Sequence, residues 1–135
     1  MSKLLSTRYS TGAFNVGMLI LRLGTGILLA SHGFDKLTHF NTFKPHFINF
    51  MGLGQAVSLS LVIFAEFFCS IFLILGLFTR LACIPIIIVM SVVLVKVNQG
   101  DIFGHGETPA LYFAATLTLL FCGPGKISVD GIAGK

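Results

Sequence analysis

The chain has 135 residues, 55% of them hydrophobic and only 10% charged, with a mean hydropathy of +0.93. Soluble domains carry roughly 25% charged residues, so this composition excludes a water-facing surface of the ordinary kind. The net charge of +4 is scattered along the chain with no basic face, which excludes a nucleic-acid partner.

Residues 1–11 are polar, carry Lys3 and Arg8, and read as an exposed tail. A first apolar span is expected over 14–34. Its 21 residues at 1.5 Å each give ~32 Å, enough for a bilayer core. A cleaved leader is a poor reading of this start, because the apolar run contains Arg22 and continues into His32, Asp35 and Lys36 without a small-residue cleavage site. From Asp35 to Gln55 the pattern is mixed, and Phe47, Ile48, Phe50 and Met51 suggest a short amphipathic segment at the membrane interface.

A second span is expected over 57–78, closed by a tight hairpin at Gly76–Arg80, and a third over 81–95. Pro85 falls in the first turns of the third, where few backbone donors are lost. After a polar loop from Lys96 to Glu107, Thr108 as N-cap and Pro109 as first helical residue predict a fourth span over 109–122. Gly123-Pro124-Gly125 ends it. The expected fold is therefore all-α, a single domain over 1–135 forming a four-transmembrane-helix bundle with an interfacial segment between the first two helices. Lys3, Arg8, Arg80, Lys126 and Lys135 fall on one side of such a bundle and Lys36, Lys44 and Lys96 on the other. That bias predicts cytoplasmic termini.

The most telling residues are charges inside apolar runs. A lone ion at membrane depth costs about 2.5–3.5 kcal/mol on insertion scales. Arg22 in the first span and Glu66 in the second each count about nine or ten residues into their helices, which predicts a neutralising Arg22–Glu66 pair near the midplane. At 100° per residue, Arg22, Gly26, Leu29, Gly33 and Lys36 share one face, and its glycines admit a close neighbour. Glu66, Ser70 and Leu73 share a face with Cys69 at its edge, and Glu107, Ala110, Ala114 and Thr118 form a small-polar stripe on the fourth helix. Those three faces are expected to meet around the bundle axis. His32, Asp35, Lys36, Lys96 and Glu107 would gather at the outer end as a polar pocket, with His32 and Asp35 as a hydrogen-bonded pair. Such a column either fixes the register of the helices or marks a proton path or head-group site.

The four histidines match no zinc or haem spacing, so no metal is expected. The three cysteines, Cys69, Cys83 and Cys122, lie in apolar segments without C-x-x-C spacing and read as small hydrophobes.

In combination, several segments resemble the DoxX family of small four-helix integral membrane proteins. They are Leu21-Arg22-Leu23 through Ser31-His32-Gly33-Phe34-Asp35-Lys36-Leu37, Glu66 with Leu75-Gly76-Leu77-Phe78-Thr79-Arg80, and Glu107 with Gly123-Pro124-Gly125-Lys126-Ile127-Ser128-Val129-Asp130. Where relatives often carry glycines just after the second-helix glutamate, this chain has Phe67, Phe68 and Cys69. The resemblance implies a multi-pass protein of the bacterial inner membrane, with links to quinone chemistry through subunits of a thiosulfate:quinone oxidoreductase and to complexes handling thiol and oxidative stress. A distant eukaryotic branch includes a cargo receptor, so the bundle also serves without catalysis. The sequence holds no flavin fingerprint, paired redox cysteine or cluster motif. The leading expectation is an accessory subunit, not catalytic alone, whose outer cluster binds a small polar group or quinone head and whose partner is an oxidoreductase subunit. A membrane scaffold or cargo helper with purely structural charges is the second reading. A proton-coupled transporter, which would need a homo-oligomer, is the third.

Overall fold

The structure is a computed structural model, described here for residues 3–46, 52–97, 99–101 and 103–134. The described residues form helices and turns with no strand. Helix α1 runs Thr11–Thr38, three residues earlier than the apolar pattern starts, because the Ser10 hydroxyl caps it by accepting from the Ala13 N–H at 3.1 Å. Short helical turns follow at Phe40–Phe43 and Lys44–His46. The Phe-rich part of the expected interfacial segment, Phe47 to Met51, lies outside the described residues.

Helix α2 runs Gln55–Leu75 and α3 runs Thr79–Lys96. Each contains one wide turn in which the backbone pairs five residues apart, at Phe64–Phe68 in α2 and at Val93–Val97 ending α3. Gly76 ends α2 in the left-handed region (φ 70°), and Phe78 adopts φ 47°, so the chain reverses within three residues. Helix α4 spans Glu107–Cys122, starting two residues before the expected first helical residue. Pro109 thus sits in its first turn, where no donor is missed. Gly123 ends it (φ 81°), as the Gly-Pro-Gly run predicts.

The helices α1, α2 and α3 are long and apolar enough to cross a membrane. Helix α4, with 16 residues, is apolar but shorter. Sequential helices pack as neighbours, α1 most extensively against α2, and α1 completes the ring against α4. The core between them is Leu29, Ala65, Cys69, Leu73, Cys83, Ile86, Met90 and Leu119, so Cys69 and Cys83 act as small apolar groups, free of disulfides. The start of α1, the segment after α4 and the α2–α3 turn lie at one end of the bundle, here the near end, since the Lys126 N–H donates to Asn15 Oδ1 at 3.0 Å and the Asp130 N–H to the Gly76 carbonyl at 2.9 Å. The last turn of α1, the start of α2, the end of α3 and the start of α4 lie at the far end.

The tightest seam is α1 against α2. A Cβ added to Gly33 would lie 2.6 Å from the Phe67 nitrogen and 2.8 Å from the Glu66 carbonyl carbon, and one added to Gly26 would lie 3.0 Å from the Ser70 carbonyl oxygen. Both glycines thus serve the expected close approach, and they supply it opposite Phe67, where α2 itself has no glycine.

On α4 the expected stripe does not face inward. Glu107, Ala114 and Thr118 are exposed, whereas Thr116 and Leu119 are buried and Tyr112 and Phe113 pack partly against the core. The reason is local. The Thr118 hydroxyl donates to the Ala114 carbonyl at 2.8 Å, as Thr116 does to Tyr112 at 2.7 Å, so a threonine in a helix satisfies itself and its polarity does not mark the inner face.

A candidate head-group cavity and a buried arginine clamp

Glu66 and Arg22 are both buried, 5% and 1% exposed, but they do not pair with each other. The register explains this. Gly33 faces Glu66 across the seam, so Arg22, eleven residues earlier on α1, sits about 16 Å away along the axis at 1.5 Å per residue. Helix α1 extends beyond the near end of α2, so Arg22 lies level with Leu73–Gly76 while Glu66 sits at mid-helix, and each ion finds a different partner.

Glu66 pairs with Lys36, one turn beyond Gly33, with Oε2 2.7 Å from Nζ. Both are shielded, their side chains 7% and 20% exposed. Glu66 sits within the wide turn Phe64–Phe68, the irregularity in α2, and such turns recur at functional sites. This ion pair lies on the wall of a cavity of about 460 Å³ between all four helices. Leu29, Val62, Val89 and Met90 form much of its apolar lining, and His32, Ser58, Thr108 and Tyr112 add polar atoms. The His32 and Tyr112 rings meet edge to face at 6.1 Å, joining α1 to α4 beside it. Low dielectric strengthens the Lys36–Glu66 attraction, and the ion pair would orient any polar group that enters.

Of the polar residues expected at this end, the structure brings only His32 and Lys36 into the cavity. Asp35 points away, 61% exposed, with Oδ1 3.3 Å from Nδ1 of His39 rather than paired with His32. One turn along a helix sets His39 and Asp35 on the same outward face. Lys96 and Glu107 are exposed and do not line the cavity; Thr108 and Pro109 do so in place of Glu107. Tyr112 and Ser58 were missed because neither is charged, although the 3.6-residue spacing from Tyr112 to Thr116 and Leu119 carries the signal.

Arg22 belongs to a second assembly at the near end. Nη1 donates to the carbonyls of Leu73 at 3.2 Å and Ile74 at 3.4 Å, in the last turn of α2, and Nη2 donates to the Ile127 carbonyl. The guanidinium thus caps one helix and holds the C-terminal segment against it. Asp130, 7% exposed on the short helix Val129–Ile132, attracts Arg22 electrostatically. Its carboxylate accepts from the Phe78 N–H at 3.0 Å and the Thr79 N–H at 3.1 Å, so it caps the start of α3. In turn, Ser128 accepts from the Gly131 N–H at 2.9 Å. A Cβ on Gly76 would collide with Arg22 and Ser128, so this glycine provides both the turn and the room for the clamp.

The model of the DoxX family matches residues 17–99, a stretch that contains Arg22, Lys36 and Glu66. No curated protein and no solved structure matches the chain significantly. The match covers well over half of the sequence, and with its apolar helices the chain is a multi-pass integral membrane protein belonging to the DoxX family.

Proposed function

We propose that the protein is a four-span subunit of the bacterial inner membrane, both termini cytoplasmic, that serves a quinone-linked redox system by holding a quinone head in the cavity beside Lys36 and Glu66. One observation carries the reading: a cavity of about 460 Å³ with mostly apolar walls contains a single shielded ion pair. The residues fit such a head group. Aliphatic walls match a ring in size and polarity, the Lys36 ammonium offers a donor to a carbonyl oxygen, and Tyr112 lines the same space. A bound quinone supplies two-electron, two-proton acceptor chemistry; the chain's own share is to bind, orient and exclude water. The electron donor would be a partner oxidoreductase subunit. Arg8, Arg80 and Lys126 at the near end support cytoplasmic termini.

The scaffold reading is favoured at one place, the Arg22–Asp130 clamp, whose guanidinium and carboxylate bond the backbone at Leu73, Ile127, Phe78 and Thr79 and whose role we assign to assembly. The test is mass spectrometry of quinones retained after gentle detergent extraction. Wild-type protein is expected to retain quinone, and Lys36→Met, Glu66→Gln and Tyr112→Phe to lose most of it while melting as cooperatively as wild type. A well-folded wild type that retains none overturns the reading.

A further inference from the structure

The cavity has four seams, and they are not equally closed. Helices α1 and α2 touch backbone to backbone at Gly33 and Phe67. Helices α1 and α4 meet through the His32–Tyr112 ring contact, and α3 packs extensively against α4. Helices α2 and α3 differ. They pack through Cys69–Leu75 and Phe64–Phe68 against Thr79–Val92, and among the described residues the packing thins beyond Phe64 toward the far end. The parting begins at the depth of the cavity, where each helix carries its wide turn, Phe64–Phe68 and Val93–Val97. Leu61 of α2 and Ile88 of α3 line the cavity and are also exposed, 47% and 55%, on the outer surface of membrane-crossing helices.

The geometry points to a sideways entrance: the cavity opens into the hydrocarbon between α2 and α3, and its ligand is a bilayer-borne amphiphile whose head reaches Lys36–Glu66 while its hydrocarbon tail leaves past Leu61 and Ile88. This rests on the functional reading above and adds the class of ligand and its route. A small water-soluble solute would have no reason to use an opening flanked by leucine and isoleucine. A head group tethered to a long apolar tail gains from burying the former beside an ion pair and leaving the latter in oil. The wide turns supply the slack, because a helix widened by one residue can splay without losing its backbone pairing.

The experiment compares two quinones with the same head, one with a single isoprene unit and one with a long polyisoprene tail, bound to purified protein in lipid nanodiscs. Leu61→Trp and Ile88→Trp fill the opening; both positions are exposed, so the fold is expected to tolerate them. Ile27→Trp, on an exposed α1 position away from the cavity, is the control. The expected result is a loss of about tenfold or more in affinity for the long-tailed quinone in the two α2–α3 variants, a clearly smaller loss for the short-tailed one, and no effect of Ile27→Trp on either. Equal affinity for the long-tailed quinone in wild type and both variants overturns the sideways entrance and leaves the head-group reading standing. Failure of wild type to bind either quinone overturns both.

Discussion

Replacing Asp130 by alanine should loosen the near end of the bundle, although Asp130 lies outside the four long helices. The carboxylate accepts two backbone N–H groups, from Phe78 at 3.0 Å and Thr79 at 3.1 Å, and it faces a buried guanidinium. Removing a side-chain cap costs about 0.5–2 kcal/mol. A hydrogen bond to a charged group contributes about 1.5–3 kcal/mol. With Asp130 only 7% exposed, water replaces these bonds poorly, so the expected loss is about 2–4 kcal/mol. Asp130→Asn keeps one acceptor oxygen and should lose about half of that. Equilibrium unfolding in mixed detergent micelles would measure it, with exposed Asp101→Ala as the control. The reasoning is refuted if Asp130→Ala unfolds at the same denaturant fraction as Asp101→Ala.

Other expectations follow from the same contacts. Arg22→Met should cost about 3–5 kcal/mol in the same unfolding assay, because it removes three hydrogen bonds to carbonyls and the positive charge that offsets Asp130, and adding Asp130→Asn should restore part of the loss. Gly33→Ala forces α1 off Phe67 and should destabilise by about 1–3 kcal/mol, with weaker quinone retention because the same movement separates Lys36 from Glu66. Thr118→Val, on the outer face of α4 with its hydroxyl already satisfied, should stay within about 0.5 kcal/mol of wild type. A loss beyond that would contradict the outward assignment of the Glu107–Thr118 stripe.

The inner faces of α1 and α2 were legible in the sequence because burial follows the helical period. Arg22, Gly26, Leu29 and Gly33 are buried together, as are Glu66, Cys69, Ser70 and Leu73. The ends of α2 and α4 were legible at Gly76 and Gly123, where glycine accepts the left-handed turn. The ionic partners were not. Pairing depends on the axial register of two antiparallel helices, and the close approach at Gly33 fixes that register in a way that neither helix announces alone. Asp130 was hidden for a different reason: its role arises only when the chain after Gly-Pro-Gly folds back onto the α2–α3 turn, fifty residues away in sequence. The α4 stripe misled because threonine hydroxyls bond their own helix. Charged residues at the far end were expected to converge; Asp35, Lys96 and Glu107 reach water instead, which costs less than burial.

The account depends on Lys36 and Glu66 acting together on a bound head group. Its most direct measurement is a four-protein cycle of wild type, Lys36→Met, Glu66→Gln and the double variant, titrated with long-tailed quinone in nanodiscs. Both single changes are predicted to weaken binding by about tenfold or more, and the double change by less than the two combined, since the pair works as a unit. Unchanged affinity in all three variants, with the fold intact, would contradict it.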